Sequence, residues 1–476
     1  MPITVKIKNA GKIYDIEVVD NATGAEFKQK IFEQTQIPPH RQKVVMKGGK
    51  LTDDATMSSF KINPKIPVMV LGTPEEGAVS AVPRPVFIED LNQDSLTQVS
   101  HEPSGLLNLG NTCYLNSSLQ ALYQIKDLSL KVGEAKQSQD SLVRAMSNVF
   151  GNMDQKQENI NPAMLLLQLR NRFPQFAEQS HGMYLQQDAE EAYSQLLRVL
   201  TEELQVGELF TVGYKTKTKC LAAPEEEVKE GSEEALKLNC HIDISTNFLR
   251  DGLLNSMKDT FEKHNDTLGG NATYETTRTI TRLPKYLTVH FMRFFWRDDT
   301  KLKSKILRKV QFPFELDLAE MLDESIKKDK IAIRDKLHKI EKDNEELIRD
   351  FKKAKKDSAL TPQQQQEEDE LKVASIQSKF KDDYNDILPA DFPLATATEN
   401  PSSVYELTAV ITHQGISADL GHYQAFVKDD KSLDDDVWWK FNDNKVSTVN
   451  REKVEMLAGG GESDSALILI YKAKGL

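Results

Sequence analysis

The stretch Gly105-Leu-Leu-Asn-Leu-Gly-Asn-Thr-Cys113-Tyr-Leu-Asn-Ser-Ser-Leu-Gln120 decides how this chain is read. A loop with two glycines delivers Cys113 to the start of a helix whose apolar face is Leu115, Leu119 and Leu122. A cysteine at that position faces unpaired backbone N–H groups, whose partial positive charge lowers the thiol pKa and favours the nucleophilic thiolate. A lone cysteine opening a helix is otherwise a small, inert core side chain. Its company elsewhere in the chain decides between the two.

That company lies far along the sequence, in His413-Gln-Gly-Ile-Ser-Ala-Asp-Leu-Gly-His422-Tyr423. Glycines flank His422, which opens the alternating run Tyr423-Gln-Ala-Phe-Val427. Trp438-Trp-Lys-Phe-Asn442-Asp443-Asn follows, and a hairpin would bring this polar cluster beside the histidine strand. A lone histidine is usually structural, but nine in 476 residues leave few rivals. Cysteine, histidine and Asn/Asp in this order supply a thiolate, a proton carrier and an orienting group.

Bulk properties narrow the class. A chain of 476 residues is too long for one ordinary core, so two or more domains are expected. With 39% hydrophobic and 28% charged residues it reads as a soluble globular protein. No apolar run is long enough to span a membrane, and MPITVKIKNA alternates like a strand instead of forming a signal core. Three cysteines, Cys113, Cys220 and Cys240, make neither a disulfide framework nor a four-cysteine zinc site, so a reducing compartment and no cofactor or metal are expected. The net charge of −12 argues against nucleic acid as the main partner.

Residues 1–72 run against that balance, with eleven Lys/Arg against seven Asp/Glu. Two alternating strands, Ile3–Lys8 and Lys12–Val18, precede a helix with Ala25, Phe27, Ile31 and Phe32 on one face and Thr23 as its cap. Strands at Gln42–Met46 and Ile66–Leu71 complete one small domain. Residues 73–104 read as a linker by composition. The second domain spans 105–474 and ends in the apolar strand Ala466–Tyr471. Within it, 323–391 is a charged insertion with Ile333, Leu337, Ile340, Leu347 and Phe351 at helical spacing; Thr361-Pro-Gln-Gln-Gln-Gln-Glu interrupts the pattern before a second helical stretch around 371–384. The expectation is a solvated helical hairpin, with a partner-binding coiled coil as the alternative.

Residues 36–54, QIPPHRQKVVMKGGKLTDD, resemble the part of ubiquitin that follows its helix, which implies a β-grasp fold. By that resemblance Val45 and Val70 fall where such folds present aliphatic side chains to partners, although strand positions leave each free to be core instead. Leu71-Gly-Thr-Pro-Glu75 replaces the diglycine tail, so the module looks like a fixed docking domain. The larger domain closely resembles the ubiquitin-specific proteases. Its cysteine and histidine blocks match that family, as do Gln186-Gln-Asp-Ala-Glu-Glu191, Leu283-Pro-Lys-Tyr-Leu-Thr-Val-His-Phe-Met-Arg-Phe294 and Lys309-Val-Gln-Phe-Pro-Phe-Glu-Leu-Asp317.

The resemblance implies an α+β chain: a β-grasp module, then a papain-like domain of thumb, palm and zinc-free fingers. By position Cys113 is the nucleophile, His422 the general base, Asn442 the group that orients it, and Asn108 the oxyanion donor. Many members carry Asp where Asn442 stands, so Asp443 could share or replace that role. Asp188 and Glu191 match positions that grip the arginine-rich ubiquitin tail; a helix-start charge pair is the alternative. Segments 295–303 and 415–420, with Phe295 and Ser417, match loops that gate the tail's path, and their glycine, serine and charged content suits mobility. Module and protease domain together resemble the proteasome-associated members of the family. That implies ubiquitin and its conjugates as substrates, docking on base subunits of the proteasome regulatory particle, residence in cytoplasm and nucleus, and a monomer when free. The pair of gating segments and the basic module on its linker further predict a slow free enzyme that turns over faster on its partner. A dead protease domain used as a scaffold, and a transglutaminase-type acyl transferase, are the rival readings.

Overall fold

A computed structural model describes residues 2–9, 12–19, 21–35, 37–46, 49–60, 67–71, 102–297, 302–353, 362–418, 420–430, 437–460 and 464–476. The chain divides into two compact units, Met1–Val99 and Ser100–Leu476. Most of the segment expected as a linker lies outside the described residues.

In the first unit, alternating residues put Val5, Ile7, Ile16 and Val18 on one face of the hairpin Pro2–Asn9/Lys12–Val19. The strand Val68–Leu71 runs parallel to Pro2–Asn9 and antiparallel to Lys43–Met46, giving a mixed five-stranded sheet. The helix Gly24–Thr35 covers the apolar face with Phe27 and Ile31. Its start carries the expected cap: Thr23 Oγ1 accepts from the Glu26 N–H, and Glu26 Oε2 accepts from the Thr23 N–H. Val45 is exposed at 46%, while Val70 is core. The period-two alternation of the closing strand turns its even positions inward, so Met69 and Leu71 take the exposed side with Val45.

In the second unit, five helices, Cys113–Tyr123, Lys126–Glu134, Ser141–Asp154, Ala163–Arg172 and Ala189–Glu203, pack on one face of a large sheet. Its main strands run in the order Leu238–Cys240, Tyr286–Phe291, Ser465–Ala473, Val404–Ser417, Leu420–Lys428, Val437–Asn442, Lys445–Asn450. Val404–Ser417 sits in the middle of this sheet, buried on both faces. Ala409 and Ile411 join the core under the helices, whereas Leu407 and Val410 join the core on the other side. That explains its near-continuous apolar run. A separate four-stranded sheet, Lys258–Asn265, Gly270–Arg282, Val212–Cys220 and Lys229–Ala235, forms the fingers. Cys220 lies in that sheet and Cys240 in the main one.

The insertion is two long helices, Glu324–Lys353 and Pro362–Ile387. The glutamine run that looked like an interruption is itself helical, with Pro362 at the first position, where its missing N–H costs nothing. Leu337 and Tyr384 close on Val404 in a small core, and Lys474 pairs with both Glu315 and Glu341, so the base is anchored while much of the hairpin is solvated. Among the described residues, no helix is long and apolar enough to cross a membrane.

Candidate active site

The Cys113–Tyr123 helix begins at the cysteine itself. Gly110 and Asn111 before it take left-handed backbone angles, φ 94° and 54°, which turn the loop sharply into the helix. Asn108 ties this turn: its Oδ1 accepts from the N–H groups of Gly110, at 2.9 Å, and Thr112, at 3.3 Å. Its Nδ2 donates to Asp443 Oδ2 at 2.9 Å. The other Asp443 oxygen accepts from Asn116 Nδ2 at 2.8 Å, and the Asp443 backbone carbonyl accepts from Leu106 N–H at 3.1 Å. A carboxylate from the far end of the chain thus clamps the loop below the cysteine. Asn116 was absent from the sequence reading; Ser117, Ser118 and Gln120 on the same helix are polar too, so its type alone does not single it out.

His422 sits on the strand Leu420–Lys428, opposite Gln414 in register. The next strand brings Asn442 alongside, and its Oδ1 lies 2.7 Å from His422 Nε2. An amide oxygen can only accept, so Nε2 carries the hydrogen of this bond, and in the neutral ring Nδ1 is then the nitrogen with the lone pair. Asn442 and Asp443 are adjacent in sequence but serve different neighbours: Asn442 meets the imidazole, and Asp443 meets Asn108 and Asn116.

Cys113 is only 2% exposed. Burial pushes its thiol up to about 11, and the Asp443 charge adds to the rise; backbone N–H groups, chiefly that of Tyr423, pull only partly the other way. This corrects the expectation of a lowered thiol pKa from the helix start alone. Desolvation outweighs the favourable backbone field, and at neutral pH the free enzyme holds a thiol.

Around this floor lie the other expected residues. Asp188 caps the helix Ala189–Glu203, accepting from the Glu190 N–H at 2.9 Å, and pairs with Lys303 at 2.8 Å. Glu191, in the first turn, accepts from Gln175 Nε2 at 3.1 Å. The two segments expected as mobile loops are strands over their described parts. Phe294–Arg297 pairs with Leu302–Lys305, and the ends of Val404–Ser417 and Leu420–Lys428 form a second hairpin. Ser304 pairs with Ser417, so the hairpins are joined. Residues 298–301 and 419 lie outside the described residues. Phe295 is exposed at the first hairpin, and Ser417 is half-buried at the second. Lys303, not singled out from sequence, is what holds the first hairpin to Asp188.

Helices packed on a sheet, with a thiol at a helix start and an imidazole–amide pair on the facing strands, define a papain-like thiol hydrolase. The chain belongs to the ubiquitin carboxyl-terminal hydrolase family: residues 104–471 match the family described as "Ubiquitin carboxyl-terminal hydrolase", and residues 3–75 match the "Ubiquitin family". It is a ubiquitin-specific cysteine protease with an N-terminal ubiquitin-like domain. Relatives extend over the whole chain. Ubiquitin carboxyl-terminal hydrolase 6 of Schizosaccharomyces pombe is 39% identical over 100% of this chain and 99% of its own length. The Arabidopsis thaliana protein of the same name is 32% identical over 99% of each chain. Ubiquitin carboxyl-terminal hydrolase 14 of Caenorhabditis elegans is 31% identical over 100% of this chain and 94% of its own.

Proposed function

We propose that this chain cleaves the isopeptide bond at the C-terminal glycine of ubiquitin, trimming ubiquitin from conjugates held by the proteasome in cytoplasm and nucleus. Cys113 attacks the glycine carbonyl while His422 Nδ1 takes the thiol proton, and Asn442 holds the tautomer that makes this possible. The second Nδ2 hydrogen of Asn108 serves the oxyanion, with Asp443 fixing the amide's direction. The lysine amine leaves with the proton from His422, and water then hydrolyses the Cys113 thioester. Asp188 and Glu191 hold the extended tail, and Phe295 and Ser417 border its path. The convergence of Cys113, His422, Asn442, Asn108 and Asp443 from three distant stretches carries this reading.

A ubiquitin derivative ending in a thiol-reactive electrophile tests it. The wild type should be labelled and Cys113→Ala should not; labelling of the alanine variant would sink the assignment. The exposed Val45, Met69 and Leu71 support the ubiquitin-like module as the dock on the regulatory particle. Turnover of a fluorogenic ubiquitin substrate should rise when proteasome is added to the free monomer. Val45→Ser should lower that rise and leave the free rate unchanged.

The thiol at about 11 favours one second reading, a catalytically weak, ubiquitin-binding regulator of the proteasome. It predicts equal turnover with and without proteasome.

A further inference from the structure

The glycine frame of the histidine block has an occupant other than His422. His413 is fully buried, and neither ring nitrogen has a hydrogen-bond partner. Its ring sits 5.2 Å from that of Phe294, edge to face, and 4.7 Å from that of Tyr423. On its remaining side the ring lies against Gly421, where a Cβ would fall 2.5 Å from His413 Nε2; at Gly415 it would fall 3.3 Å from Cε1. Both glycines also have positive φ, 145° and 135°. Together they make room for this imidazole, and Gly421 directly precedes His422.

The His413 backbone is held as well. Its carbonyl accepts from Lys305 Nζ at 2.6 Å and from Ser465 Oγ at 3.4 Å, and its register partner is Tyr423. Burial first, then the charges of Lys305 and His422, drive the His413 pKa down to about 3, so the ring is neutral throughout the working range. Lys305 is itself pushed down to about 8, mainly by burial. Phe294 and Lys305 are opposite one another on the first hairpin, so one buried ring touches that hairpin, the second hairpin and the strand of His422.

We propose that His413 is a positioning residue of the hydrolysis: its imidazole seats Gly421 and hence His422, and its unpartnered nitrogens leave the resting packing of the Phe294–Lys305 hairpin incomplete. Burying polar atoms without partners costs stability. This rests on the deubiquitinase reading given above.

The test uses the full chain and the fluorogenic ubiquitin substrate, with His413→Phe and His413→Gln. His413→Phe keeps the bulk and removes the nitrogens. It should fold with an unchanged or raised Tm, hold KM, and lose roughly tenfold to a hundredfold in kcat, since small displacements of reacting groups cost that much. His413→Gln should recover part of kcat. Wild-type kcat in His413→Phe would overturn the proposal. So would a fall in Tm with every fall in turnover and no recovery in His413→Gln, which marks a purely structural ring. If the electrophilic ubiquitin fails to label even the wild type, the deubiquitinase reading falls and takes this proposal with it.

Discussion

The floor of the site and its rim are built by different physical means. Beneath Cys113, a two-sided carboxylate, two side-chain amides and a backbone bond cross-link two distant stretches of chain. At the rim, two hairpins are joined by the Ser304–Ser417 pairing and held to the helical layer by Lys303 and Asp188. Their outer faces present exposed Phe295, Trp296, Ile416 and Leu420. Arg293 and Lys305 give the first hairpin deep roots: the buried guanidinium donates to the carbonyls of Ile306, Arg308, Ala458 and Ala466, and Lys305 Nζ donates to the His413 carbonyl. The floor is cross-linked directly at the cysteine loop, whereas the rim is fastened at its base and leaves its outer faces exposed.

The sharpest way to break this contrast is at Asp443. In Asp443→Asn one carboxylate oxygen becomes an N–H₂ group facing the Nδ2 donors of Asn108 and Asn116, so one of the two bonds is lost. Turnover should fall by about 10²–10³, the range for a disabled oxyanion donor. Asn442→Ala should cost less, because the strand still carries His422 to its place. If Asn442→Ala is the more damaging change, the floor is organised around the imidazole and not around Asp443.

The buried thiol gives a pH test of the same contrast. Cys113 is raised from its ordinary value of 9.0 to about 11, so the fold favours its protonated form. Stability from this source is fully present below about pH 9 and drains away as pH climbs towards 11. Wild type should therefore lose more stability than Cys113→Ala between those values, measured by urea unfolding. Alkylation of Cys113, followed site by site by mass spectrometry, should rise along the same window. Asp443→Asn should shift the rise to lower pH, because the Asp443 charge holds the thiol up. An unshifted rise would show that the Asp443 charge does not reach the thiol.

What could be read in the sequence follows from the same physics. Cys113, His422 and Asn442 were legible because their local frames are written in adjacent residues. The β-grasp order and the helix cap at Thr23 were legible for the same reason. The thiol's pKa was not, because the core that buries Cys113 is assembled from residues far away in sequence. Val45 and Val70 were each left open between exposed and core, since alternation gives a period but not a phase; Val45 is exposed and Val70 is core. Lys303 and Asn116 went unread because each acquires its meaning only across the fold, at Asp188 and Asp443.

The rim's weakest fastening gives the smallest effect. The Lys303–Asp188 pair is partly exposed, with side-chain exposures of 37% and 11%, so it is worth no more than about 1 kcal/mol. Lys303→Ala should raise free-enzyme turnover by up to about fivefold, since that energy converts to roughly that factor. Asp188→Asn loses the same pair, but it also loses a carboxylate proposed to meet the tail, so its KM should rise. The two together should show no gain beyond the single asparagine variant, because the fastening can be removed only once. Proteasome should stimulate Lys303→Ala by a smaller factor than wild type, if docking works by releasing this hairpin. Equal stimulation would place the release at Ser304–Ser417 or at Arg293 instead, moving control of the rim from its surface ion pair to its root.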